Sequence, residues 1–140
     1  MDFLSALKIS ASGLSAERTR VNAASSNLAN ADSTRGPDGE LYQRIDPVFS
    51  AEPLEGSGGL DGAGPAAVKV EELQKDEGPG RRVYLPSHPD ADAQGYVTLP
   101  NVNPIHEVVN LMSASRAYEA NATAVDTLKT MAQRALDITR

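Results

Sequence analysis

The chain has no cysteine and no tryptophan. The first absence removes disulfides, thiol nucleophiles and thiolate metal ligands. It leaves the compartment open, because a protein outside the cytosol need not be bridged. The second belongs to a general poverty of aromatic residues, which in 140 residues amount to Phe3, Tyr42, Phe49, Tyr84, Tyr96 and Tyr118. Aromatic side chains supply much of the buried area of a compact core, so a self-contained core is expected to be thin. No run approaches the roughly 20 apolar residues that span a bilayer, which excludes a transmembrane segment. The opening, Met1-Asp-Phe-Leu-Ser-Ala-Leu-Lys8, has neither the basic leader nor the continuous apolar stretch of a secretory signal. Passage out of the cytoplasm is therefore expected to use a route that reads no cleavable signal.

Proline and glycine are missing from both ends. All nine prolines fall between Pro37 and Pro104, and ten of the eleven glycines between Gly36 and Gly95. These are the residues a helix interior tolerates least, so their confinement predicts two terminal helices flanking an irregular insert. The expected fold is mainly α: long N- and C-terminal helices packed as an antiparallel coiled-coil-like pair, with a small irregular β insert between them. The expected segments are a helical 1–33, an insert 34–103 and a helical 104–140.

Charge follows the same division. Residues 1–30 carry three basic and two acidic groups, residues 104–140 four of each, and the insert thirteen acidic against six basic. The net charge of −6 thus resides in the insert. Phosphate neutralisation needs clustered Lys and Arg, so nucleic acid is excluded as a partner. Two nearly neutral helices suit association.

Both helices carry seven-residue repeats. In the first, Leu7, Leu14, Val21 and Leu28 form one row, and Leu4 and Ala11 begin a second that Arg18 and Ser25 interrupt. Asp2 or Ser5 is the expected N-cap, and a helix over 3–30 would be about 40 Å long. Alone in water it is expected to fray. In the second, Asn103-Pro104 reads as N-cap and first helical residue, with Glu107 in the first turn, where the dipole favours an acid. Leu111, Tyr118, Val125 and Ala132 form one row, and Ala114, Asn121, Leu128 and Ala135 the other. Ala117, Ala124, Met131 and Ile138 widen the stripe. It is too broad for one two-stranded seam and can meet more than one neighbour. A monomeric helical hairpin would leave these stripes short of burial, which points to an assembly subunit.

Within the insert, 41–49, 67–73, 81–85 and 95–99 read as short strands between turn signals. Val68-Lys-Val70 and Val83-Tyr-Leu85 are expected to pair around Gly78-Pro-Gly80, and the Gly-rich stretch 55–65 to be mobile.

No catalytic constellation stands out. Asp90-Ala-Asp92-Ala-Gln-Gly95 opens like a calcium loop, but Gln94 replaces the third acid and Asn101 stands where a bidentate Glu belongs. It reads better as an Asp-rich turn entering a strand at Tyr96. His88 and His106 are far apart, no base accompanies Ser10, Ser12, Ser15, Ser25 or Ser26, and no Gly-rich phosphate cradle follows a strand. No enzyme, metal or cofactor is expected.

Polar residues at the helix boundaries are more specific. Asn27-Leu-Ala-Asn30, Asp32-Ser-Thr-Arg-Gly36 and Tyr42-Gln-Arg44 resemble the signature that closes the first helix of flagellar rod and hook axial proteins. Where most members continue with a Thr-Pro-Gly-Tyr-like turn, Thr34-Arg-Gly-Pro37 stands here, as in the proximal-rod branch. His88-Pro-Asp-Ala-Asp92, Gly95-Tyr-Val97 and Pro100-Asn-Val-Asn103 are similar to the block before the last helix. Glu107-Val-Val-Asn-Leu-Met112 and Ser115-Arg-Ala-Tyr-Glu-Ala-Asn121 resemble the helix itself. The likeness covers 1–50 and 84–140 and leaves 52–81 without a clear match.

The resemblance implies a structural subunit of the bacterial flagellar basal body. Members would be exported by the flagellar type III apparatus and assemble in the periplasm into a tubular rod. Their partners would be further copies, other rod proteins and the adaptor joining rod to membrane ring. The residues expected to carry assembly and packing are Leu4, Leu7, Leu14, Val21, Leu28, Leu111, Ala114, Tyr118, Val125, Leu128, Met131 and Ala132. Asn27, Asn30, Asn103 and Asn121 are expected to bind backbone at helix ends or between subunits. The residues alone leave a second class open, a soluble helical-hairpin adaptor or export chaperone gripping one partner. A peptidoglycan-cleaving enzyme would need a paired-carboxylate or nucleophile–base arrangement that the sequence does not offer.

Overall fold

The computed structural model describes residues 3–36, 38–54 and 64–138. Helix α1 spans Phe3–Ala29 and helix α2 spans Pro104–Ile138. Between them lie β1 (Ile45–Pro53), β2 (Ala66–Lys75), β3 (Arg81–Tyr84) and β4 (Tyr96–Leu99). The strands make two antiparallel two-stranded sheets, β1 with β2 and β3 with β4. Helix accounts for about half of the described residues and strand for about a fifth. The expected long terminal helices and small β insert are present, and the insert has more regular β structure than a mainly α description conveys.

The helices are antiparallel. Asn27 meets Glu107 across the pair, and Gly13 lies against Asn121. Fourteen residues forward along α1 thus correspond to fourteen backward along α2. Gly13 suits that approach, because a Cβ there would stand 3.0 Å from Asn121 Nδ2 and the amide would have to give way. At the start of α2, Asn103 Oδ1 accepts the N–H of Ile105 (3.0 Å) and of His106 (3.4 Å), so the predicted cap is formed. Helix α1 is already under way at Phe3, which puts Ser5 inside its first turn rather than at the cap. The other expected cap, Asp2, lies outside the described residues, as do 55–63 of the Gly-rich stretch.

The β1–β2 hairpin lies along α1, where Val68 N–H donates to Ser12 Oγ (3.0 Å). Pro47 and Pro53 fit β1 because each strand of a two-stranded sheet has an open edge, where a missing N–H costs nothing. A bulge at Val48/Phe49 leaves Glu71 without a partner across the sheet. The expected pairing of 68–70 with 83–85 does not occur. Residues 66–75 pair with β1 over their whole length, and the Gly78-Pro79-Gly80 segment carries the chain to a second sheet. The reason is close approach: a Cβ on Gly80 would stand 2.6 Å from the Leu99 carbonyl, so glycine delivers β3 to β4. On that sheet Tyr84 and Tyr96 pack edge to face at 5.2 Å, and the Arg82 guanidinium lies 4.8 Å from the Tyr96 ring centre.

The core is thin, and it is mostly alanine. Among the described residues the buried apolar side chains are Ala16, Ala23, Ala24, Ala31 and Ala114, with Val97, Leu99, Pro100 and Val102 in the segment before α2. Alanines on α1 let that helix fit between α2 and the hairpin.

Candidate assembly surface and the node at the helix boundary

Where the end of α1, the entry to β1 and the start of α2 converge, the buried side chains are polar. Asn27 is fully buried and uses all of its hydrogen-bonding capacity. Its Oδ1 accepts the Ile45 N–H (2.9 Å) and the Tyr42 hydroxyl (3.0 Å). Its Nδ2 donates to the Ile45 carbonyl (2.8 Å) and to Glu107 Oε2 (3.2 Å). The amide therefore pairs with Ile45 as a neighbouring strand would, starting β1 at a fixed place on α1. Tyr42 Oη also lies 3.2 Å from Ser26 Oγ.

Glu107, equally buried, receives Arg44 Nε on its other oxygen at 2.6 Å. Arg44 also bridges Asp46 through both terminal nitrogens, with Nη2 3.0 Å from Oδ1. Burial opposes the charge on Arg44, but hydrogen bonds to Asp46 and Glu107, reinforced by their charges, raise its pKa above the ordinary guanidinium value. A buried carboxylate is tolerated when paired and hydrogen-bonded, and among the described residues no buried side-chain N or O lacks a partner.

Asn30 and Asn103 act on backbone. Asn30 Nδ2 donates to the Ser26 carbonyl (2.8 Å), adding to the Asn30 N–H bond to the same oxygen (3.1 Å) at the end of α1. Asn103 caps α2, and Asn121 is half-buried against Gly13.

The heptad residues are unequally placed, with Ala114 and Asn121 in the seam and most of the large apolar ones only partly covered. Ala114 is completely buried. Leu7, Leu14, Val21, Leu28, Leu111, Val125, Leu128 and Ala132 are half-buried, and Leu4, Tyr118 and Met131 are exposed. Beside Val21 and Tyr118 an open groove runs between the helices, rimmed by Arg18 and Glu119. Sequence periodicity missed Ala16, Ala23 and Ala24, which small size alone does not distinguish from surface alanine. It also missed the pairing of Arg44 with Glu107, which was read as a first-turn acid. The usable signal was the clustering of Tyr42 and Arg44 just after the Asn27–Asn30 motif.

The acidic turn is engaged within the chain. Asp92 accepts the N–H of Gln94 (2.8 Å) and of Tyr96 (2.9 Å) and pairs with Arg82 at 2.8 Å. The Tyr96 hydrogen bond outweighs the opposing desolvation and, with those from Gln94 and Arg82, lowers the Asp92 pKa below its ordinary value. Asp90 receives Thr34 Oγ1 and Arg35, both at 2.7 Å, which ties the loop after α1 to the loop before β4. Among the described residues no helix is long and apolar enough to cross a membrane, and no cluster of three metal-ligating side chains occurs.

Comparison with known proteins follows these boundaries. Residues 7–37 match the family described as flagella basal body rod protein, and residues 93–138 match the C-terminal segment of the flagellar basal body rod FlgEFG proteins. Individual relatives align over the insert as well, which extends the likeness beyond the two ends. The flagellar basal-body rod protein FlgC of Escherichia coli O6:H1 is 42% identical over 138 residues, 99% of this chain and 98% of that protein. The FlgC protein of Salmonella typhimurium is 43% identical over 140 residues, with the same coverage. That of Aquifex aeolicus is 42% identical over 139 residues, 98% of this chain and 97% of its own length. With such identity along nearly its whole length, the chain belongs to the FlgC family of flagellar basal-body rod proteins.

Proposed function

We propose that this rod-family member is a non-enzymatic structural subunit that joins the tubular axial structure through its two terminal helices. One observation carries the reading. Within the chain the helix pair buries small and polar side chains, while Leu4, Tyr118, Met131 and other large apolar residues stay exposed on both helices. Covering the area each still exposes contributes a fraction of the roughly 1.5–3 kcal/mol for burying such a side chain completely, a driving force that the single chain does not use. Residues 1–33 and 104–140 form the axial helical unit in this reading, and 34–103 forms the part that distinguishes this subunit from its neighbours. Its partners are further copies, other rod proteins and the adaptor to the membrane ring. It reaches the periplasmic space through the flagellar type III export apparatus, without signal cleavage.

The test is to place aspartate at exposed sites, Leu4→Asp and Tyr118→Asp. Each purified variant should keep wild-type helicity and melting temperature, yet fail to enter basal bodies and fail to restore swimming to a strain lacking the protein. Normal basal bodies built with both variants would refute the proposal. An adaptor or export chaperone of helical-hairpin design would instead lose one pairwise complex in solution.

A further inference from the structure

We propose that the cleft and apolar stripe at the start of α2 receive the C-terminal turns of a neighbouring rod subunit's long terminal helix. This inference rests on the assembly reading above and names the contact that assembly would use. At the start of α2, Ile105 is 78% exposed, and Val109 and Met112 follow it on the same outward face at helical spacing. Ile105 also borders a cleft of about 540 Å³ formed with Arg81 and the Pro100–Pro104 segment, so ridge and recess are continuous.

The expected occupant is present in this chain's own architecture. Continuing the register from Gly13/Asn121 back to Phe3 reaches Met131, so the last seven described residues of α2 run about 10 Å past the described start of α1. Ile138 in that overhang is 86% exposed and Met131 at its base is exposed too. The overhang belongs to the C-terminal segment shared with other rod proteins, so neighbouring members carry a corresponding helix end.

Over the last two described turns Asp137 is offset by Arg134, so the overhang is close to neutral and its exposed apolar side chains are what the cleft and stripe would cover. Patches this small, a few side chains on each side, lie well below the ~1,200 Å² of a stable pairwise interface. They are suited to a head-to-tail contact that repeats along an array and does not close into a dimer.

Because the chain has no cysteine, Ile105→Cys can carry a single maleimide–diazirine probe. In isolated basal bodies, photolysis followed by mass spectrometry should attach the probe at position 105 to the last two turns of a rod-family terminal helix. An Ala11→Cys probe, on the exposed face of α1, should not give that product. Attachment from position 105 mainly to a β segment, a mid-helix peptide or a membrane-ring protein would overturn the inference. So would equal labelling from position 11. Ile105→Asp should reduce incorporation into basal bodies at least several-fold. If Leu4→Asp and Tyr118→Asp block assembly while Ile105→Asp assembles normally, this contact is wrong and the assembly reading stands; if none of the three blocks it, both fail.

Discussion

Replacing Asn27 with alanine strands both the N–H and the C=O of Ile45, which the amide binds at 2.9 and 2.8 Å in a fully buried setting. Tyr42 keeps Ser26 as a partner and Glu107 keeps Arg44, so those two groups are only partly deprived. Each orphaned buried group costs about 1–3 kcal/mol, and a water entering the small space left behind recovers part of that. The expected loss is therefore about 2–4 kcal/mol, a large share of the 5–15 kcal/mol of an ordinary domain. Urea unfolding of the monomer, followed by circular dichroism, measures it. Amide exchange at Ile45 and along β1 should accelerate more than in the middle of α2, because the node fixes where β1 begins.

An exchange of groups sharpens the test. Asn27→Asp turns the donor that faces Glu107 and the Ile45 carbonyl into an acceptor, so it should cost at least as much as alanine. Adding Glu107→Gln supplies an amide from the opposite side and rebuilds the 27–107 hydrogen bond with donor and acceptor reversed. The double variant should be more stable than the sum of the singles predicts, by about 1 kcal/mol or more, as expected of residues in direct contact. Strict additivity, or a loss below about 0.5 kcal/mol for Asn27→Ala, would show that the node does not hold the insert to the helices.

Three further outcomes are expected. In an Asn121→Ala background, Gly13→Ala should raise stability by roughly 0.5–1 kcal/mol through helix propensity, since the 3.0 Å contact is then gone; a melting curve that falls would refute this. Gly95 has φ +83° and a Cβ there would lie 2.8 Å from the Tyr84 ring, so Gly95→Ala should weaken β3–β4 pairing, read as faster amide exchange in residues 81–84 and 96–99. The lowered pKa of Asp92 means its hydrogen bonds support the turn at pH values above the ordinary aspartate range, and that support is lost as the pH falls through the depressed folded value. The Gln94 and Tyr96 amide resonances should therefore titrate together at a pH below the ordinary aspartate value, and a midpoint at or above that value would contradict the geometry.

The parts of the fold legible in sequence were those set by local rules. Proline at position 104, asparagine before it and the absence of helix breakers after it fixed the start of α2, because capping and backbone stiffness act within one turn. Strand pairing was misread because it depends on where Gly80 meets the Leu99 carbonyl, a contact across nineteen residues that no local pattern encodes. The helix seam was misplaced for a related reason. A seven-residue leucine row identifies the face with the most to gain from burial, and in a self-contained hairpin that face would be the seam. Here the deepest part of the seam belongs to alanines and to the Asn27–Glu107 node, while Leu7, Leu14, Val21 and Leu28 are only half-buried. A repeat that predicts burial and an isolated chain that provides only part of it are reconciled when the remaining burying surface belongs to other subunits. The shortfall between periodicity and observed burial is thus itself an argument for assembly, and any chain whose heptad rows are only partly covered by its own seam invites the same test by exposed-site charge substitution.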